Sequence, residues 1–176
     1  TAKLQDALDA ANTARNTAND AGKQAITDAN ASAVATDPSV AAAMQHLQDV
    51  MNDAANDDPK ALTADIEAAI KALQDAVTAA TSDRESAVTD ANNLISKTAP
   101  VSNEPGVAEA LQNLRDALNG TTTGSDIREA TAKLQDALDA ANTARNTAND
   151  AGKQAITDAN ASAVANDPSV AAAMQH

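Results

Sequence analysis

The chain has 176 residues, 43% of them hydrophobic, yet none is Phe, Trp, Tyr or Cys. Aromatic side chains bury roughly 150–250 Å² each, so their absence excludes an ordinary compact core and leaves helix propensity and a long seam of Ala, Leu, Val and Ile as the sources of stability. A formal charge of −13 and an isoelectric point near 4.2 argue against binding nucleic acid or an anionic membrane surface, and the missing cysteines exclude a disulfide scaffold, thiolate metal sites and cysteine catalysis.

From Lys3 to about Ala35, small apolar residues fall at Leu4, Ala7, Leu8, Ala11, Ala14, Ala18, Ala21, Ala25 and Ala29. That three/four spacing predicts one face of a long helix. Asp37-Pro38 stops it and starts the next, with Asp37 as N-cap and Pro38 in the first helical position. Val40, Met44, Leu47, Met51 and Ala54 mark a short second helix that ends in a polar run containing Asp58 and Pro59, a second cap pair. A third, long helix starts near Thr63 or Asp65 and carries Ile66, Ala69, Ile70, Leu73, Val77, Ala80, Ala87, Val88, Ala91, Leu94 and Ile95. At ~1.5 Å per residue it is expected to run about 50 Å. Thr98 to Gly106 is a loop; Pro105 opens a second short helix with Val107, Ala110, Leu111, Leu114 and Leu118, and Gly120 closes it. Ser125 is expected to cap another long helix beginning at Asp126.

That last helix runs into the beginning of the chain over again. Residues 131–176 repeat residues 1–46 with one change, Thr36 to Asn166, at an offset of 131 − 1 = 130. Near-identity over that length marks a tandem array, with the chain covering one period and the start of the next. A weaker repeat lies inside the period: PSVAAAMQHLQDVMN (38–52) matches PGVAEALQNLRDALN (105–119), and DIEAAIKALQDAV (65–77) matches DIREATAKLQDAL (126–138). Aligning the long helices leaves the heptad TANDAGK (17–23) unmatched, and a whole heptad keeps an apolar face in phase, so Gly22 and Gly152 are expected inside continuous helices.

The expected fold class is therefore all-α: tandem up-down-up three-helix bundles joined by shared long helices in an elongated rod. The expected divisions are residues 1–13 as the end of a preceding unit, 14–82 and 83–146 as two three-helix units, and 147–176 as an incomplete start. Each unit advances about 25–30 Å. Both cut ends expose apolar seams, so the chain is expected to be a monomer whose ends stack in a crystal.

These segments resemble the FIVAR-type helical repeats of giant Gram-positive surface proteins, the extracellular matrix-binding proteins of staphylococci among them. ANNLISKTAPVSNEPGVAEALQNLRDALNG (91–120) carries the resemblance, continued by the LQDA segments of the flanking helices. It implies a wall-anchored, extracellular bacterial stalk or adhesin, with fibronectin or another host matrix protein as a possible ligand.

No catalytic constellation emerges, no cofactor pattern is present, and the expectation is a non-enzymatic protein. His46 and His176 are copies of one position beside the Met44/Leu47 stripe and read as solvated. Asp53, Asp57 and Asp58 lack the glycine and twelfth-position Glu of a calcium loop and read as caps and solubilising charge. Arg15, Arg84 and Arg145 occupy equivalent positions where one bundle hands over to the next. They are read as joints, each Arg lying over the seam and reaching carbonyls or carboxylates, rather than as a ligand-contacting basic spot. No stretch approaches the ~20 apolar residues of a membrane helix. Three functions remain: a spacer stalk projecting an adhesive domain, whose partners are adjacent repeats; a weak multivalent matrix-binding module; and a desiccation-protective Ala-rich helical protein.

Overall fold

A computed structural model describes residues 1–55, 62–120, 122–162 and 167–173. Among the described residues the secondary structure is entirely helical: α1 (Ala2–Ala31), α2 (Pro38–Ala55), α3 (Thr63–Ile95), α4 (Pro105–Asn119), α5 (Gly124–Ala161) and α6 (Pro168–Ala173), with a 3-10 turn at Ala99–Val101 between α3 and α4. The 33 residues of α3 and 38 of α5 run unbroken. Gly22 and Gly152 lie within α1 and α5.

Apolar burial is divided between two clusters. The first joins Ala18 and Ala29 of α1, Val34 of the following turn, Val40, Leu47 and Ala54 of α2, and Ile66, Ala69, Leu73 and Ala80 of α3. The second joins Ala87, Ala91 and Leu94 of α3, Val101, then Val107, Leu111 and Leu114 of α4, and Ile127, Leu134 and Leu138 of α5. Helix α3 feeds both, its N-terminal half one and its C-terminal half the other.

The two clusters are built alike, which explains the internal similarity in the sequence. Val40 and Leu47 hold the positions of Val107 and Leu114, and Ile66 and Leu73 those of Ile127 and Leu134; all eight are essentially buried. Met44 and Met51 of the first cluster stand where Leu111 and Leu118 stand in the second. Unbranched Met fills the less regular spaces left by so many alanines.

Met51 also explains where the extra heptad goes. A Cβ on Gly22 would stand 2.6 Å from Met51 Sδ and 3.5 Å from Leu47 Cδ1. The glycine thus admits α2 close to α1, and the roughly 1 kcal/mol it costs in helix propensity is offset by that approach. The buried edge of α1 consequently runs Ala18, Gly22, Ala29, with Ile26 half-buried beside it, whereas Ala21 is exposed.

Identical sequence meets different surroundings in the two copies. Leu134 and Leu138 are 0% and 5% exposed in the second cluster, whereas their counterparts Leu4 and Leu8 are 76% and 53% exposed. Conversely Ala18 and Gly22 are buried, while Ala148 and Gly152 are exposed. A Cβ on Gly152 would meet nothing within 4 Å.

The helix ends refine the expected caps. Asp37 Oδ1 accepts the backbone N–H of Ser39 at 2.9 Å, and Pro38 is the first residue of α2; Pro105 likewise opens α4. Ser125 is not a cap. Helix α5 starts two residues earlier, on a reciprocal box in which Thr123 Oγ1 accepts the Asp126 N–H (3.2 Å) and the Asp126 carboxylate accepts the Thr123 N–H (3.0 Å). Threonine wins because the pair Thr123 and Asp126 satisfies two donors at once; Ser125 is an exposed residue of the first turn. Gly120 ends α4, but with extended backbone (φ −88°, ψ 174°) instead of the left-handed geometry that glycine usually supplies there. Asp58 and Pro59 lie outside the described residues. Helix α1 stops at Ala31, before the expected Ala35, with Ser32 as its C-cap; Val34 buries in the turn that follows.

Candidate functional site

The densest polar construction among the described residues lies where α3 passes from the first cluster to the second. Arg84 sits at that point, half-buried. Its Nε donates to Thr122 O (3.1 Å), and its Nη2 donates to Gly120 O (3.1 Å) and Leu118 O (3.4 Å). The carbonyls at a helix C-terminus lack intrahelical donors and carry the negative end of the dipole. A guanidinium, with five donors in a fixed fork, suits three carbonyls on a turning chain better than an ammonium does. The extended backbone at Gly120 is what sets those carbonyls around one cation.

The neighbouring residue makes a second bond across the same gap. Asp83 accepts two parallel hydrogen bonds from Arg128 of α5, Nη1 to Oδ2 at 2.8 Å and Nη2 to Oδ1 at 2.6 Å. Nη2 also reaches the Asp83 carbonyl at 3.3 Å. Both side chains are about half exposed. The Arg128 hydrogen bonds hold the Asp83 carboxyl below the usual aspartate range, and the same bonds raise Arg128. Gly124, the first residue of α5, is buried against this pair: an added Cβ would collide with the Asp83 carboxylate and lie 3.1 Å from its backbone carbonyl carbon. Asp126 is lowered by the Thr123 hydroxyl and amide that it accepts.

Sequence reasoning placed Arg84 here and passed over Asp83, Thr123, Gly124 and Arg128. The signal for Arg128 was present in the internal alignment. Arg128 stands where Glu67 stands in the first unit, and Asp83 where Ala14 stands, so a complementary pair arises only in the second. The three equivalent arginines are not equivalent in surroundings. Arg15 is half-buried and donates to Asn12 Oδ1 at 3.4 Å within its own helix. Arg145 is exposed on α5.

The remaining expectations concern ligands. His46 and Asp53 are exposed; Asp57 and His176 lie outside the described residues. Among the described residues, no three His, Asp or Glu side chains gather where they could hold a metal ion. No described helix is long and apolar enough to cross a membrane. Two open grooves follow the contact of α3 with α5. One, of about 510 Å³, is lined by Asp90, Lys97, Arg128 and Gln135, and the other, of about 240 Å³, by Pro100, Val101, Leu138 and Asn142. In the larger groove the Thr131 hydroxyl donates to Ile127 O of its own helix at 2.7 Å. Comparison of the chain with family models, curated proteins and solved structures finds no match.

Proposed function

We propose that this chain is a spacer, a stretch of repetitive helical stalk in which up-down-up three-helix units share their long helices and follow one another as a stiff rod. The units run over residues 14–82 and 83–146, with 1–13 and 147–176 belonging to their neighbours. The observation that carries the reading is α3, which gives Ile66–Ala80 to one cluster and Ala87–Leu94 to the next without a break in the helix. A helix has no free hinge in its interior, so a joint of this kind transmits direction from one unit to the next.

Arg84 and the Asp83–Arg128 pair are the joint. They tie the end of α4 and the beginning of α5 to the middle of α3, on the outside of the seam where aliphatic stems can lie flat. The resemblance to FIVAR-type repeats supports a setting on a bacterial wall, where such a rod holds an adhesive domain away from the surface. Substituting Arg84 with Ala is expected to leave helicity within a few per cent and to broaden the distance distribution from small-angle scattering. Unchanged inter-unit order would remove the joint from the reading. The spacer itself is tested by retention of fibronectin, albumin and collagen on the immobilised chain. Saturable retention of any one of them at micromolar concentration would replace the spacer with the multivalent matrix-binding reading.

A further inference from the structure

Asn119 and Gly120 are the only asparagine and glycine that follow one another in the chain, and they stand at the end of α4. Asn119 is exposed and is the last residue of the helix. The N–H of Gly120 donates to Asp116 O at 3.1 Å, closing the last turn. Glycine beyond a helix end usually supplies a left-handed turn, but Gly120 has a φ of −88°, which any residue adopts. Packing does not demand it either: a Cβ there would stand 3.4 Å from Asp116 O and from Thr122 Cγ2, ordinary contact distances. What the missing side chain does is leave the Gly120 nitrogen open to the carboxamide beside it.

We propose that Asn119 is a site of spontaneous covalent modification, and that its product loosens the joint at Arg84. A backbone amide is a poor nucleophile while its nitrogen is conjugated with the carbonyl. Hydroxide removes the Gly120 proton, and the nitrogen attacks Asn119 Cγ. The new N–Cγ bond forms, the bond from Cγ to the side-chain nitrogen breaks, and that nitrogen takes a proton from water and leaves as ammonia. Water then opens the five-membered imide. Cleavage of its N–Cγ bond gives aspartate; cleavage between the ring nitrogen and the main-chain carbonyl carbon of residue 119 gives isoaspartate, whose chain runs through Cβ and Cγ and is longer by one carbon. The ring does not close in helical geometry, so the last turn must open first. Terminal turns open at little cost, whereas helix interiors do not. Asn52, the counterpart of Asn119 in the first unit, is followed by Asp53 and lies inside α2. Asn103, in the turn before α4, is followed by Glu104.

The inserted carbon falls among the acceptors of Arg84. Leu118 O lies before it, and Gly120 O and Thr122 O lie after it. The bond from Thr122 Oγ1 to Ala117 O spans it as well. The path that sets three carbonyls around one cation is thereby broken. This effect rests on the reading of Arg84 as a joint, whereas the modification itself does not.

The whole chain, kept warm in mildly alkaline buffer, is expected to lose a side-chain amide first at residue 119, and peptide mapping is expected to find both aspartate and isoaspartate there. Gly120→Ala is expected to retain that amide over the same interval with its melt unchanged. Small-angle scattering of the isoaspartate form is expected to show the broadened distance distribution of Arg84→Ala. Asn119→Asp, which adds the charge without lengthening the chain, is expected to keep the starting distribution. Amide loss first at another asparagine, or undiminished loss in Gly120→Ala, overturns the site. An unbroadened isoaspartate form beside a broadened Arg84→Ala overturns the effect on the joint. No broadening in either removes the joint and that effect together, while the mapping still decides the site.

Discussion

Thr123 and Leu62 occupy the same place in the two units, each three residues before an aspartate that opens a long helix. Asp65 accepts the Leu62 N–H at 2.8 Å, as Asp126 accepts that of Thr123, but a leucine has no oxygen to offer in return. Half a capping box is thus left unmade, and Leu62 is 61% exposed. Leu62→Thr is expected to stabilise the chain by about 0.5–1 kcal/mol and Thr123→Ala to destabilise it by about 1 kcal/mol. Thermal melts should record these as shifts of roughly 2–4 °C per kcal/mol. Asp83 responds to pH instead. Its folded-state pKa is depressed by Arg128, so the stability it adds is present above the unfolded value near ~3.9 and is lost as pH falls through the lower folded one. The melting difference between the unaltered chain and Asp83→Asn should be constant above about pH 5 and shrink below about pH 4. A difference that persists undiminished to pH 2 would separate Asp83 from that role.

At the scale of the helix, one residue type meets opposite demands in two copies. Gly22→Ala gains about 1 kcal/mol of helix propensity but drives a methyl into Met51, an overpacking that costs typically 1–3 kcal/mol. Gly152→Ala gains the propensity and meets only open space. The expected result is a raised ellipticity at 222 nm for Gly152→Ala and a neutral or lowered melting temperature for Gly22→Ala. Equal behaviour would mean that α1 and α2 do not close on Gly22. This pair also shows where the sequence was legible. The Leu, Ile and Val stripes of α2, α3 and α4 marked their buried faces, because large aliphatic residues have one place to go. The alanines of α1 did not discriminate: Ala is tolerated on any face, so Ala21 looked as good as Gly22. For α5 alone, the serine at 125 pointed to the wrong cap, and the Thr123–Asp126 spacing is the better signal.

The whole molecule inherits its behaviour from the two clusters and the helix between them. Leu73 and Leu114 are each buried at the centre of one cluster, and Leu→Ala at such sites costs roughly 2–5 kcal/mol. If the units are coupled only through neighbours, as in other repeat proteins, each substitution should split the melt into two steps, with the altered unit going first. A single sharp transition in both variants would show that α3 couples the clusters strongly. The Asp83–Arg128 pair was illegible in advance for a related reason. It is long-range and links residues 45 apart, and the internal alignment marks it only as a change at both positions, from Ala14 and Glu67, without saying that the two new residues meet.

The near-identical stretches also make the molecule its own reference peptide. A fragment such as KLQDALDA occurs at residues 3–10 and again at 133–140, with equal mass and equal intrinsic exchange chemistry. Leu134 is covered and Leu4 is not, so amide hydrogens in the two copies should exchange at different rates. Mass spectrometry of that fragment should then show two isotopic envelopes from a population in which every molecule is the same. Such bimodality is ordinarily taken for cooperative opening; here it arises from position alone, and the spacing of the envelopes measures what tertiary cover adds to a helix with the sequence term cancelled.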